Sequence, residues 1–284
     1  MSSVREFYDA LAADYHLIFP DWDASMARQA AALDGVVRDR LGAGPHQVLD
    51  CSCGIGTQAI GLAGVGHRVV GSDLSPAAVA RAAVEATARG VRLPVTVADM
   101  RSLPFRAAAF DVVVCADNSL PHLLTADDVH TALVGMRRVL RDDGLLVLSI
   151  RDYDEIRAAR PPSAPPQEST TAQGRVVTFQ LWHWHEDGAR YDLEHFQLVP
   201  GDGGGWEVRV RRTTYWALTR EELSSEVADA GFTEVSWHEP ENSGFYQPVL
   251  TARPIQPSRK SDGASEKAFR RPEDCGILRP CRRS

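Results

Sequence analysis

Apolar residues recur along this chain at two different periods. Trp22, Met26, Ala30, Leu33, Val37 and Leu41 fall at helical spacing, which predicts a helix over 22–41 that Asp21 or Asp23 can cap. A shorter helix is predicted over 4–15, and Gly42 with Gly44-Pro45 breaks the pattern. Beyond that break, short apolar runs alternate with helical segments. Strands are predicted at 47–51, 68–71, 95–98, 110–115 and 145–150. The first is followed by a glycine turn and a helix through Ala63. The second is followed by a helix with Ser75 as N-cap, Pro76 at its first position and Gly90 as its stop. Thr125 caps a third helix with Val129, Leu133, Met136 and Leu140 on its apolar face, ended by Asp143-Gly144. Apolar strands alternating with helices imply an α/β fold whose parallel sheet is covered on both faces.

The period then changes. Residues 160–169 are rich in Pro and Ser and read as a loop. Extended stretches follow at 175–185, 190–199 and 206–218, separated by turn signals at Asp187-Gly188 and 201–205. This predicts an antiparallel β insertion after the fifth strand. Within it, Trp182-His183-Trp184-His185 alternates, so the tryptophans face one side and the histidines the other. Thr219-Arg220-Glu221-Glu222 is a capping-box signature that opens a helix to Gly231. Strands at 234–238 and 246–252 complete the sheet. The organisation is an N-terminal helical lid (1–45), a core (46–156 and 219–253), the insertion as a substrate lid (157–218) and a tail (254–284) whose Pro, Ser, Gly and charge predict disorder.

With 284 residues and 44% hydrophobic content, the chain can build one large α/β domain with a small lid. It has no run of 18 uncharged apolar residues, and its first ten residues lack the apolar stretch of a secretory signal, so neither a membrane span nor export is expected. Cysteines at 51, 53, 115, 275 and 281 are odd in number and form no CxxC pair, which predicts a reducing, cytoplasmic setting. The net charge is -7; the eight Lys/Arg and four Asp/Glu of 255–284 give that segment +4 and leave -11 on the rest. An acidic body argues against a large nucleic-acid surface and for a small-molecule partner. A homo-oligomer is compatible with the sequence, which fixes no oligomeric state.

The strongest chemical signal is Val48-Leu-Asp-Cys-Ser-Cys-Gly-Ile-Gly-Thr-Gln58. A buried strand delivers Asp50, and Gly54 and Gly56 turn the chain into a helix. The glycines let the backbone approach a ligand, and the helix N-terminus offers free N–H groups. In a dinucleotide enzyme those groups take a pyrophosphate. Here Ser52 replaces the first glycine of that fingerprint and the carboxylate of Asp50 precedes the turn, which suits a cationic ligand such as S-adenosylmethionine (SAM). Asp73-Leu74 closes the second strand 23 positions after Asp50, where an acid can bond both ribose hydroxyls. Asp99-Met100 follows the third strand, where a carboxylate and a thioether can hold the edge and face of an adenine. Each feature alone also has a structural reading, as a plain turn or a helix cap; their order after successive strands makes them specific.

This order of motifs resembles the class I SAM-dependent methyltransferases over roughly residues 5–253. The resemblance implies a Rossmann-like seven-stranded sheet with its last strand antiparallel and SAM at the C-terminal edge of the first strands. The segments Ala116-Asp-Asn-Ser-Leu-Pro-His-Leu123 and Ser149-Ile-Arg-Asp-Tyr-Asp-Glu-Ile156 are similar to those of the glycine N-methyltransferases and bacterial glycine/sarcosine methyltransferases, with the match on Asn118, Ser119, His122, Leu123, Arg151, Tyr153 and Asp154. By that resemblance Asn118 and the carbonyl of Asp117 meet the substrate amine, and Arg151 clamps a substrate carboxylate. Tyr215 and Tyr8 match the family's later tyrosine and its N-terminal lid tyrosine, and Arg28 matches a group for the SAM carboxylate. Tyr8, Arg28 and Asp117 are thus expected at the cofactor, and Asn118, Arg151, Tyr215 and His122 at the chemistry.

Competing readings stay open at this stage. Arg151 can instead pair with Asp152 or Asp154, and His122 can be structural rather than catalytic. His183, His185 and His195 lack an evident carboxylate or thiolate partner for a metal, so no metal is expected. The implied activity is N-methylation of a small amine, glycine or sarcosine first. Amino sugars or other antibiotic intermediates come next, then O-methylation of a small metabolite. A SAM-binding regulatory module is the non-enzymatic alternative.

Overall fold

The alternating strands and helices close into one seven-stranded sheet in the computed structural model, which describes residues 3–171 and 174–256. The predicted tail lies, from residue 257, outside the described residues, as do Cys275 and Cys281. The sheet contains β1 (Gln47–Asp50), β2 (Arg68–Asp73), β3 (Val95–Val97), β4 (Phe110–Cys115), β5 (Leu140–Ser149), β10 (Phe232–His238) and β11 (Val249–Pro254). Their spatial order is β3-β2-β1-β4-β5-β11-β10, with β11 antiparallel to both neighbours and the inner strands parallel. Between β5 and β10 the chain adds a second, four-stranded antiparallel sheet of β6 (Ser163–Thr171), β7 (Gly174–Trp184), β8 (Arg190–Pro200) and β9 (Trp206–Trp216). The Rossmann-like fold with an inserted antiparallel sheet is therefore as expected.

Strand periodicity builds two cores. Val48, Val112, Val114, Leu145 and Val147 point to one face and pack with Met26, Leu33 and Val37 of α2 (Trp22–Leu41) and Ile60 of α3 (Thr57–Gly64). Their sequence neighbours Leu49, Val113, Cys115, Leu146 and Leu148 point to the other face. There they meet Val129, Leu133 and Met136 of α5 (Ala126–Val139) and Leu223 and Val227 of α7 (Arg220–Asp229). Burying each such side chain contributes about 1.5–3 kcal/mol, an upper figure because the unfolded chain already buries part of it. Caps fix the helix starts. Asp21 rather than Asp23 caps α2, Ser75 caps α4 (Pro76–Ala88), and Thr219 with Glu222 forms the capping box of α7.

Four expectations are corrected. The helix predicted over 4–15 ends at Leu11 as α1 (Val4–Leu11), and a separate 3-10 turn follows at Tyr15–Ile18. The carbonyls of Ala12 and Ala13 both accept from Arg81 Nη1 at 2.6 Å, so a side chain takes the bonds that another helical turn would use. The Pro/Ser-rich stretch is strand β6 rather than a loop. It is an edge strand, and its ladder with β7 is irregular between Ala164 and Gln167, where Pro165 and Pro166 sit without N–H donors. α5 stops at Val139, so Leu140 opens β5, and Asp143-Gly144 lies inside that strand. The last strand begins at Val249 rather than 246, after a short helix α8 (Pro240–Ser243), which leaves Tyr246 and Gln247 in a loop. A helix not foreseen, α6 (Tyr153–Ala159), follows β5.

Candidate active site

A chamber of about 360 Å³ opens at the C-terminal ends of the first four strands. Its floor is the glycine turn after β1. Gly56 has φ +99°, and a Cβ there would come within 2.7 Å of Ile60 Cδ1, so any other residue would be strained in its backbone and would displace the Ile60 side chain. Asp73 at the end of β2 holds the turn: its two oxygens accept from the Gly54 and Ser75 amides, each at 2.9 Å. Asp50 lies buried beneath the turn. Its Oδ1 accepts from the Ser52 amide at 3.3 Å, while its buried Oδ2 has no partner. Burial, together with the nearby charges of Asp73 and Asp117, pushes the Asp50 carboxyl up to about 7. Asp50 is not itself a lining residue of the chamber but lies directly behind Cys51 and Ser52, which are; its unpartnered buried carboxylate oxygen fits a cationic group, and this is the observation that supports SAM here.

Leu74, Asp99 and Met100 line the same chamber. Arg101 grips both oxygens of Asp99, with Nη2 to Oδ2 at 2.6 Å, and reaches Asp128 at 2.8 Å. Those hydrogen bonds hold the Asp99 carboxyl below its ordinary value. The roof is α1, whose Tyr8 lines the chamber and whose hydroxyl lies 2.7 Å from Nε2 of His122. α1 is tied down towards and beyond its C-terminal end. Asp9 accepts from Ser75 Oγ at 2.6 Å, and just beyond the helix Asp14 pairs with Arg209 and Arg211 of β9 at 2.8 and 2.7 Å.

A second chamber, of about 340 Å³, lies between the α2 entrance, the β11 approach and the inserted sheet. A smaller cavity of about 70 Å³ lies beside it. Asp117 lines all three spaces. Its backbone is left-handed (φ +57°), as is that of Asn118 (φ +64°), a conformation uncommon outside glycine that Asp and Asn adopt more readily than other side chains and that clusters at functional sites. The Asp117 carboxylate accepts from Tyr15 at 3.2 Å and from the Tyr246 hydroxyl. Burial raises its pKa, and the Tyr246 bond, Arg151 and Tyr15 oppose that rise.

Arg151 lines the second chamber and the small cavity. Its Nη1 donates to Tyr191 Oη at 2.8 Å and its Nη2 to Gln180 Oε1 at 3.4 Å. The guanidinium lies 5.1 Å from the Trp182 ring centre and 5.3 Å from that of Tyr215. Among the described residues no carboxylate lies within 4.0 Å of it. Asp152 and Asp154, its candidate partners from sequence, pair instead with Arg220 at 2.8 and 3.6 Å. Asn118 lines only the small cavity, and its side chain is engaged: Nδ2 donates to Tyr153 Oη at 2.9 Å and Oδ1 accepts from the Arg151 amide at 3.2 Å.

His122 packs its ring 4.1 Å from that of Tyr215, and burial drives its pKa down to about 3. Tyr215 lines the small cavity, and burial pushes its phenol up to about 12. Arg28 does not reach the first chamber; it lines the second and donates to Ser25 Oγ at 2.9 Å. His183 and His185 pair with Glu194 and Asp192 on the outer face of the insertion, while His195 faces inward, so the three do not converge. Sequence reasoning missed Tyr15, Gln180, Tyr191 and Tyr246. None sits in a recognisable motif, and only the folding of the insertion and the late loop onto the core brings them in.

The family profile described as a methyltransferase domain matches residues 48–144. The glycine/sarcosine N-methyltransferase of Parasynechococcus marenigrum (strain WH8102) is 33% identical over 240 residues, covering 82% of this chain and 80% of that one. The glycine N-methyltransferase of Rattus norvegicus is 30% identical over 204 residues, covering 66% and 68%. In fold, the chain aligns with the sugar N-methyltransferase KedS8 from Streptoalloteichus sp. at a TM-score of 0.68 and 22% identity, covering 85% of this chain and 93% of that one. Sheet order and matched domain define a class I SAM-dependent methyltransferase acting on a small molecule. Within that class, the identity shared along most of both sequences places the chain in the glycine/sarcosine N-methyltransferase family.

Proposed function

We propose that the protein methylates the amine of a small amino acid of the glycine or sarcosine kind. The observation that carries this reading is the half-buried guanidinium of Arg151, which has no carboxylate partner among the described residues and shares its chamber with the carboxylate of Asp117. A free amino acid presents the complementary pair, a carboxylate for Arg151 and an amine for Asp117. Asp50 would hold the SAM ammonium, Asp73 its ribose, Leu74, Asp99 and Met100 its adenine, with Tyr8 closing over it; Arg28, which faces the second chamber, has no part in holding it. Bound there, SAM supplies an electrophilic methyl group.

The acceptor amine must be neutral to react. Against a reference alkyl-ammonium pKa near 10.4, deprotonation at pH 7 costs on the order of 4–5 kcal/mol. Enclosure by Tyr8, Tyr15 and the inserted sheet lowers that cost, because desolvation favours the neutral amine. Asp117 accepts a hydrogen bond from an amine N–H and so aims the lone pair. Asn118 acts one step back, holding the loop and the Arg151 backbone in place. No covalent intermediate is needed; the side chains align the reactants.

The test is methyl transfer from labelled SAM to glycine, sarcosine, methylamine and an amino sugar. Transfer to glycine or sarcosine with methylamine much poorer supports the reading. Transfer to the amino sugar alone, or to hydroxyl acceptors alone, overturns it.

A further inference from the structure

Strand β8 carries one more polar group into the acceptor chamber. His195 is only 4% exposed, and it lines both the second chamber and the small cavity beside it. Its Nε2 is buried without a hydrogen-bond partner. In the ladder His195 is paired with Gln180, whose Oε1 accepts from Arg151 and from Trp182 Nε1 at 3.1 Å. The orphaned nitrogen thus sits beside the group that steadies the carboxylate clamp. Burial, with Arg211 and Arg151 near, lowers the His195 pKa to about 4, so the ring is neutral at physiological pH and offers one donor and one acceptor. Buried polar atoms in folded proteins are almost always satisfied, and one on a side chain that lines a cavity has a ligand as its natural partner.

Glycine leaves nothing for this nitrogen. Its amine and carboxylate are the groups assigned to Asp117 and Arg151, and it has no other. We infer that His195 is a specificity-determining residue whose imidazole hydrogen-bonds the acceptor's side chain, making the preferred acceptor an amino acid larger than glycine that carries an uncharged hydroxyl or amide. This inference rests on the amino-acid reading given above. A site that keeps a polar group buried for its substrate rejects an analogue of equal size that lacks the matching group.

The experiment compares kcat/KM for glutamine against methionine, and for serine against alanine, with glycine and sarcosine alongside, using the full chain and SAM. The expected result is a polar-over-apolar ratio of about tenfold or more in at least one pair, and glycine poorer than that polar acceptor. In His195→Leu the ratio falls below about threefold with SAM affinity unchanged, and His195→Gln restores part of it. Ratios near one in the unsubstituted protein, glycine as the best acceptor, or a ratio unchanged in His195→Leu would each overturn the inference while the amino-acid reading stands. Because the unsubstituted protein alone gives the first two readings, the test survives a variant that does not fold. If the protein binds SAM but methylates no amino acid at all, both readings fall together.

Discussion

The hydroxyl of Tyr8 and Nε2 of His122 lie 2.7 Å apart, a contact between residues 114 positions apart in the chain. It joins the roof helix to the loop after β4. A single hydrogen bond of this kind contributes about 1 kcal/mol net, or roughly fivefold in an equilibrium. Tyr8→Phe keeps the ring and loses the bond. We expect the folded state to lose about 1 kcal/mol, measured by denaturant titration, and SAM to bind up to about fivefold more weakly, measured by titration calorimetry.

His122 also sets an acid limit. Its folded pKa is near 3, against about 6.5 unfolded, so the folded protein holds it neutral. A depressed histidine contributes stability that is complete above about pH 6.5 and declines as pH falls toward 3, because only the unfolded chain takes up the proton. The stability of the unsubstituted protein should fall below pH 6 more steeply than that of His122→Gln, by up to about 1.4 kcal/mol per pH unit. Denaturant titrations across that window check the difference.

Asp50 behaves in the opposite sense. Its carboxyl is raised from 3.8 to about 7, so between those values the folded protein keeps a proton that the unfolded chain has lost, and this contribution to stability declines as pH rises from 3.8 and is gone by about 7. A cationic ligand needs the ionised form. SAM affinity should therefore rise up to about tenfold per pH unit below 7 and level off above it, with proton release visible as a buffer-dependent binding enthalpy. Asp50→Asn should flatten that profile and weaken SAM binding at pH 8 by roughly 10- to 100-fold.

Removing the Arg151 guanidinium should affect the acceptor and not the cofactor. Charge-assisted hydrogen bonds contribute about 1.5–3 kcal/mol each. In Arg151→Met, kcat/KM for an amino-acid acceptor should drop on the order of 100-fold or more, while the dissociation constant for SAM stays within about threefold. Steady-state kinetics paired with SAM titration separates the two.

Asp14 holds two arginines of β9, and its side chain and that of Arg211 are 14% and 11% exposed. Asp14→Ala removes the shared anion and leaves the two guanidinium groups with less compensation. Partial burial places the cost at about 2 kcal/mol, which for a domain of this size lowers Tm by roughly 4–8 °C. Differential scanning fluorimetry with Asp14→Asn as the milder control measures it.

The doubly wound core was legible from sequence because apolar strand runs and helix caps are local signals. Ser75-Pro76, Thr125 and Thr219 to Glu222 mark helix starts through contacts made within a few residues. The glycine turn and Asp73 were legible for the same reason. Strand β6 was not, because Pro165-Pro166 reads as a breaker and only the neighbouring β7 turns it into an edge strand. The early end of α1 depends on Arg81, far along the chain, and no local pattern reports it. At the site, sequence supplied Asp117 as a carbonyl beside the substrate; its carboxylate at the junction of the three spaces depends on Tyr15 and Tyr246 arriving from opposite ends of the chain.

Asp117 forms part of the wall of both large chambers, so a charge placed in one would be felt in the other through the same side chain. Under the proposed function the two occupancies would be thermodynamically linked, and linkage is reciprocal: whatever factor a methyl donor contributes to acceptor affinity, the acceptor returns to the donor. A demethylated donor, stripped of its positive charge at sulfur, meets the same carboxylate on different terms. With a donor in one chamber and an acceptor in the other, as proposed above, the shared wall would be a side chain through which the acceptor chamber registers whether the donor has been spent.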